Sequence, residues 1–139
     1  MRFDFLGVGN LGLIWVGMTK DQVRVALKEP YEEFIKTSTS IVKTDAFNSL
    51  NLHVFYEGSG KLKGVEFFGG SEFFLEGRKV IDESIEEVQC ILNGMGVEVD
   101  VNESGFSVKE IGLRFCIPDI GENGAVVESI YVEMNSVCV

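Results

Sequence analysis

One stretch of this chain occurs twice. Thr19-Lys20-Asp21-Gln22-Val23-Arg24-Val25-Ala26-Leu27 returns as Ser84-Ile85-Glu86-Glu87-Val88-Gln89-Cys90-Ile91-Leu92, sixty-five positions on. Each copy is followed by a pair of alternating apolar segments. The first pair runs from Leu50 to Tyr56 and from Leu62 to Phe68; the second runs from Ile111 to Ile117 and from Val126 to Met134. A duplicated helix-and-strand unit divides the 139 residues into two like halves, about 1–70 and 71–139, within a single domain.

Both helices announce their starts. Thr19 with Gln22 forms a capping box, and Met18 can staple onto Val23. Val23, Ala26 and Leu27 share one apolar stripe, and Pro30 is expected to stop the helix. Ser84 with Glu87 repeats the cap, with Asp82, Glu83 and Glu86 placed where the helix dipole favours negative charge. Ile85, Val88, Ile91 and Leu92 make the second stripe, Cys90 is expected in the core beside them, and Asn93-Gly94 reads as the stop.

A weaker hairpin is predicted between each helix and its strong strands. Tyr31 to Lys36 and Ser40 to Lys43 flank Thr37-Ser38-Thr39; Gly96 to Val101 and Gly105 to Lys109 flank Asn102-Glu103-Ser104. Each half then reads as one helix followed by four antiparallel strands. The expected fold class is α+β: two tandem helix-plus-antiparallel-sheet repeats, helices on one face of the sheets, the sheets joined edge to edge or packed closely.

Charge narrows the partners. The net charge is −10, which disfavours nucleic acid and anionic membranes and favours a basic protein. No stretch is long and apolar enough to span a bilayer. Met1-Arg2-Phe3-Asp4-Phe5 lacks the basic and apolar regions of a signal peptide. Cys90, Cys116 and Cys138 are unevenly spaced and read as free thiols. The expected location is the cytoplasm, as a monomer or homodimer.

Three patterns invite chemistry. Gly7-Val8-Gly9-Asn10-Leu11-Gly12 spells GxGxxG, but a dinucleotide fingerprint needs a buried parallel strand before it and a long helix beginning inside it. The cap at Thr19 comes too soon for such a helix, so the segment reads as a glycine-rich lead-in. His53 is the single histidine, which excludes a multi-histidine metal site within one chain. The acids around Asp82 to Glu87 and from Asp119 to Glu122 lack the ligand pattern of a calcium loop. The chain is expected to have no catalytic residues, no metal and no cofactor.

The face of the strands turned away from the helices is the most suggestive surface. Its predicted register places His53, Phe55, Glu66 and Phe68 there from the first half. Arg114, Cys116, Tyr131 and Glu133 come from the second half. Aromatics mixed with charges of both signs are the composition of a protein contact. His53, Phe55, Glu66, Phe68, Arg114, Tyr131 and Glu133 are the expected partner-binding residues.

Gly17-Met18-Thr19-Lys20-Asp21-Gln22-Val23, with Leu27 and Pro30 following, resembles the helix opening of small outer-membrane assembly lipoproteins of the SmpA/OmlA type. It equally resembles the repeat unit of secreted β-lactamase inhibitor proteins. Those inhibitors consist of two tandem helix-plus-four-strand units, so the resemblance in order of elements covers nearly the whole chain. It implies a protein-binding sheet. With the acidic charge, it leads to the expectation of a non-catalytic inhibitor or immunity protein that neutralises a partner such as a toxin. A structural or assembly module of the SmpA/OmlA type, or a small ligand-binding protein, is the alternative.

Overall fold

Thr19 opens the first helix. In the computed structural model, which describes residues 1–35 and 42–134, α1 spans Lys20–Leu27. The Gln22 amide donates to the Thr19 hydroxyl at 3.3 Å and the Thr19 amide donates to Gln22 Oε1 at 3.0 Å, completing the capping box. The helix ends where Lys28 turns left-handed, at φ 53°, and donates its amide to the Arg24 carbonyl. Pro30 therefore lies past the stop and does not make it.

The second helix, α2, spans Ile85–Met95 behind the Ser84 cap. It runs through the expected stop at Asn93-Gly94 and ends at Gly96, whose φ of 72° suits glycine. A glycine inside a helix costs about 1 kcal/mol. Met95, packed against the core from the last turn, offsets that cost. Cys90 is exposed, against expectation. At about 100° per residue it lies roughly 200° around the helix from the buried Val88.

Among the described residues eleven strands accompany the helices. In the first part of the chain they are β1 (Arg2–Asp4), β2 (Glu32–Phe34), β3 (Thr44–Phe47), β4 (Leu52–Tyr56) and β5 (Leu62–Phe67). The rest are β6 (Glu72–Leu75), β7 (Arg78–Lys79), β8 (Asp100–Asn102), β9 (Gly105–Val108), β10 (Leu113–Cys116) and β11 (Ser129–Glu133).

The expected pair of helix-plus-sheet repeats is not what forms. The chain is mostly sheet: one eight-stranded antiparallel sheet in the order β2-β3-β4-β5-β11-β10-β9-β8, and a separate three-stranded sheet in the order β1-β6-β7. Two causes act. First, β5 and β11 pair along their edges, with Phe67 opposite Ile130 and Val65 opposite Val132. Two open edges are thereby closed, which removes a row of unpaired backbone groups from each. Second, segments with no assigned place in either repeat make their own sheet. β1 pairs parallel with β6, and β6 turns into β7 through Glu76 and Gly77, whose φ values of 52° and 74° are those of a tight hairpin.

Strand limits also differ. β2 pairs with Thr44–Phe47, which follows the expected Ser40 to Lys43; the Thr37-Ser38-Thr39 turn and residues 40–41 lie outside the described residues. Asn48–Leu50 and Lys109–Ile111 are 3-10 turns that close at Asn51 and Gly112, so β4 and β10 begin two residues later than the apolar alternation suggests. Leu50 and Ile111 still pack on the core, which is why they read as strand.

The core lies on one face of the large sheet. Val54, Val65, Val108 and Val132 line that face and are fully buried. Val23 and Leu27 of α1, and Val88 and Leu92 of α2, pack into the same cluster. The small sheet reaches it through aromatic rings: Phe3 and Phe73 stand 5.2 and 5.0 Å from Phe67. Among the described residues no helix is long and apolar enough to cross a membrane.

Candidate functional site

Alternation sorts each strand into a core side and an outer side. In β4, Leu52, Val54 and Tyr56 are buried against the core, so His53 and Phe55 point outward. In β11, Ile130 and Val132 are buried, so Tyr131 and Glu133 point outward. Cross-strand pairing then assembles a row. His53 faces Glu66, Glu66 faces Tyr131, and Tyr131 faces Arg114. Four of the seven expected contact residues thus stand side by side across β4, β5, β11 and β10.

The remaining three flank the row. Phe68 follows β5, with its ring 4.8 Å from His53. Phe55 lies between His53 and Tyr131, at 6.5 and 5.9 Å. Glu133 ends β11 opposite Gly64. Phe55 is only 8% exposed, although it is not part of the main core cluster. It packs against its ring neighbours and offers little surface itself. His53, Glu66, Phe68 and Tyr131 are half-buried, and Arg114 and Glu133 are exposed.

Two features of this face were not foreseen. Phe34 joins the aromatic cluster, 5.1 Å from His53; the pattern Glu32-Glu33-Phe34 was too short to show a face. Arg114 places its guanidinium 4.4 Å above the Tyr131 ring. Burial and the Glu133 carboxylate raise the Tyr131 phenol above its ordinary pKa, with Arg114 opposing them.

The core side holds a polar network that sequence reasoning missed. Asp45 is fully buried in β3. Arg24 of α1 donates to both its oxygens, at 2.9 and 2.8 Å, and the Tyr56 hydroxyl donates at 2.9 Å. The guanidinium also lies 4.0 Å over Tyr31 and 3.2 Å from Glu33. Its bond to Asp45 raises the Arg24 pKa, and burial followed by the Asp45 charge raises the Tyr56 pKa. The network fixes α1 to the sheet. An acid alone in the run Thr44-Asp45-Ala46-Phe47, all buried, was the available sign of it.

The other candidate chemistries have structural roles. The GxGxxG segment folds into a compact loop, with bridges from Asn10 to Gly7 and Trp15 and an Asn10 side chain accepting from the Gly12 amide at 2.9 Å. Leu11 and Ile14 are buried in the core, so the segment is a plug and not a lead-in. Asp82 ties its amide to the Val127 carbonyl at 2.7 Å, and Glu87 pairs with Arg78. Among the described residues no cluster could hold a metal ion. Cys138 lies outside the described residues, and Cys116 is exposed on the outer face.

No protein-family model, curated protein or solved structure matches this chain.

Proposed function

We propose that the chain is a non-catalytic protein-binding domain of the inhibitor or immunity type, which neutralises a basic partner protein by covering it with the outer face of the eight-stranded sheet. The observation that carries this reading is the row His53, Glu66, Tyr131 and Arg114, running across adjacent strands on the face opposite the core. Half-buried rings bordered by charges are the usual anchors of a protein contact. Acids stand at further outer positions of the sheet: Glu32 of β2, Asp100 of β8 and Glu133 of β11. With a net charge of −10, such a face speeds encounter with a basic surface, and salt weakens that steering.

The test compares three immobilised proteins in native lysate: the wild type, a His53→Ala/Phe68→Ala/Arg114→Glu variant, and a Glu86→Lys variant altered on α2. Circular dichroism first establishes that all three fold. The expected result is a specific protein retained at low salt by the wild type and by Glu86→Lys and lost from the triple variant. Equal retention by all three, or no specific retention at low salt, overturns the reading.

A further inference from the structure

The outer face is hollowed where β9 and β10 meet β11. A groove of about 620 Å³ opens there, within the ~300–1,000 Å³ of ligand pockets. Its floor is a cross-strand row of small residues: Gly105, Cys116 and Ser129. A Cβ on Gly105 would stand 1.9 Å from the Phe115 carbonyl oxygen, so only glycine permits this close approach of backbones. Arg114 and Tyr131 form one wall, and the β8–β9 turn through Asn102 and Ser104 forms the other.

Two polar groups in the groove have donor capacity to spare. Ser129 is 6% exposed, yet its hydroxyl makes no hydrogen bond among the described residues. Buried hydroxyls are nearly always bonded, so this one is an open position. Arg114 makes no ion pair among the described residues. Tyr131 occupies its face and one hydrogen bond, and the remaining N–H groups of the guanidinium can donate to a ligand. Arg114 faces Tyr131 and Cys116 faces Ser129, so Arg114 and Ser129 are diagonal neighbours, about 7–8 Å apart at Cα.

We propose that this groove is a carboxylate-binding subsite, in which Arg114 grips a carboxylate edge-on and the Ser129 hydroxyl donates a further hydrogen bond to it. A planar, singly charged group matches the guanidinium fork. Glu66 and Glu103 also line the groove, and their charge works against a more highly charged anion such as phosphate. The carboxylate has two sources: a small free acid, or an acidic group on the partner, the latter resting on the outer face being the contact surface. On that surface a mostly basic partner would present one acid to Arg114.

The probes are propionate, a short peptide with a free C-terminal carboxylate, and the same peptide amidated, each titrated into isotope-labelled full-length protein and followed by NMR. Saturable shifts are expected at the Gly105, Cys116 and Ser129 amides and at Arg114 Nε–H. Arg114→Gln should weaken binding by roughly tenfold or more and Ser129→Ala by a few-fold. Lys79→Gln removes the same charge from β7 and should change nothing. Propionate binding as tightly as the free-acid peptide points to a small free acid; a free-acid peptide that binds well above propionate and is lost on amidation points to a chain end. The subsite is overturned if no carboxylate gives saturable shifts, if Arg114→Gln binds equally, or if methylguanidinium or inorganic phosphate outcompetes propionate. Absent carboxylate binding with partner capture still dependent on the outer face removes the subsite and leaves the contact surface standing.

Discussion

The phenol of Tyr131 lies directly over Gly64 on the neighbouring strand. A Cβ on Gly64 would stand 2.0 Å from the phenol oxygen and 2.3 Å from Cζ. Gly64 has no left-handed backbone, so the glycine is needed for space alone. Gly64→Ala should lift the ring and destabilise the fold by about 1–3 kcal/mol. Once Tyr131→Ala has removed the ring, the same change should cost almost nothing. A double-mutant cycle by urea denaturation measures the coupling. Additive costs would mean that the ring does not need the glycine.

Asp45 depends on Arg24 and Arg24 on Asp45. Asp45→Ala removes the acceptor of three hydrogen bonds and leaves the guanidinium, whose side chain is 18% exposed, with Glu33 as its remaining nearby carboxylate among the described residues. Breaking such a pair from one side should cost about 3–5 kcal/mol. Tyr56→Phe loses one bond to a charged acceptor, about 1.5–3 kcal/mol. Arg24→Met with Asp45→Leu should be milder than Asp45→Ala, because no charge is stranded. Urea midpoints order the three variants; an unchanged midpoint for Asp45→Ala would remove the network from the account of stability.

Alkaline pH should act through Tyr56. Burial and the Asp45 charge raise its folded pKa. The folded state therefore keeps the phenol proton at a pH where the unfolded chain has lost it. The stability this provides is complete below the unfolded pKa of about 10 and declines as pH rises beyond it, by at most about 1.4 kcal/mol per pH unit for one group. Tyr131 shifts in the same direction. Urea midpoints measured from about pH 9 to pH 11 should fall in the wild type. The fall should be shallower in Tyr56→Phe, and equal slopes would exclude the proton on Tyr56 as the cause.

Periodicity revealed the outer row because β4, β5, β10 and β11 each turn alternate residues to a single core face, leaving the opposite set in one register. The same rule could not show which edges meet. The β5–β11 pairing joins residues such as Gly64 and Glu133, and no local pattern encodes a contact at that separation. The small sheet escaped because β7 is two residues long, below any period, although Glu76-Gly77 was a readable hairpin turn. Helix starts were legible, since a cap is a contact between near neighbours. Helix ends were less so: Lys28 turns left-handed without glycine, while Gly94 stays helical. The groove at Ser129 is lined jointly by β5, the β8–β9 turn, β9, β10 and β11, a tertiary property with no trace in the separate segments.

The glycine-rich loop offers a last test of structure against chemistry. Gly9 has φ +68°, and a Cβ there would lie 2.1 Å from Val16 Cγ2. Gly9→Ala combines left-handed strain of about 1–2 kcal/mol with that clash, so it should destabilise by more than the strain alone. Gly58 has ordinary backbone and open space around it, so Gly58→Ala should be neutral or stabilise by up to about 1 kcal/mol. Ile14→Ala, emptying a fully buried position of the same loop, should cost about 2–5 kcal/mol. Thermal unfolding with and without a nicotinamide dinucleotide completes the comparison. A plug predicts the three stability changes and no response to the nucleotide. A raised melting temperature with the nucleotide, abolished by Gly9→Ala, would instead make the loop a phosphate cradle.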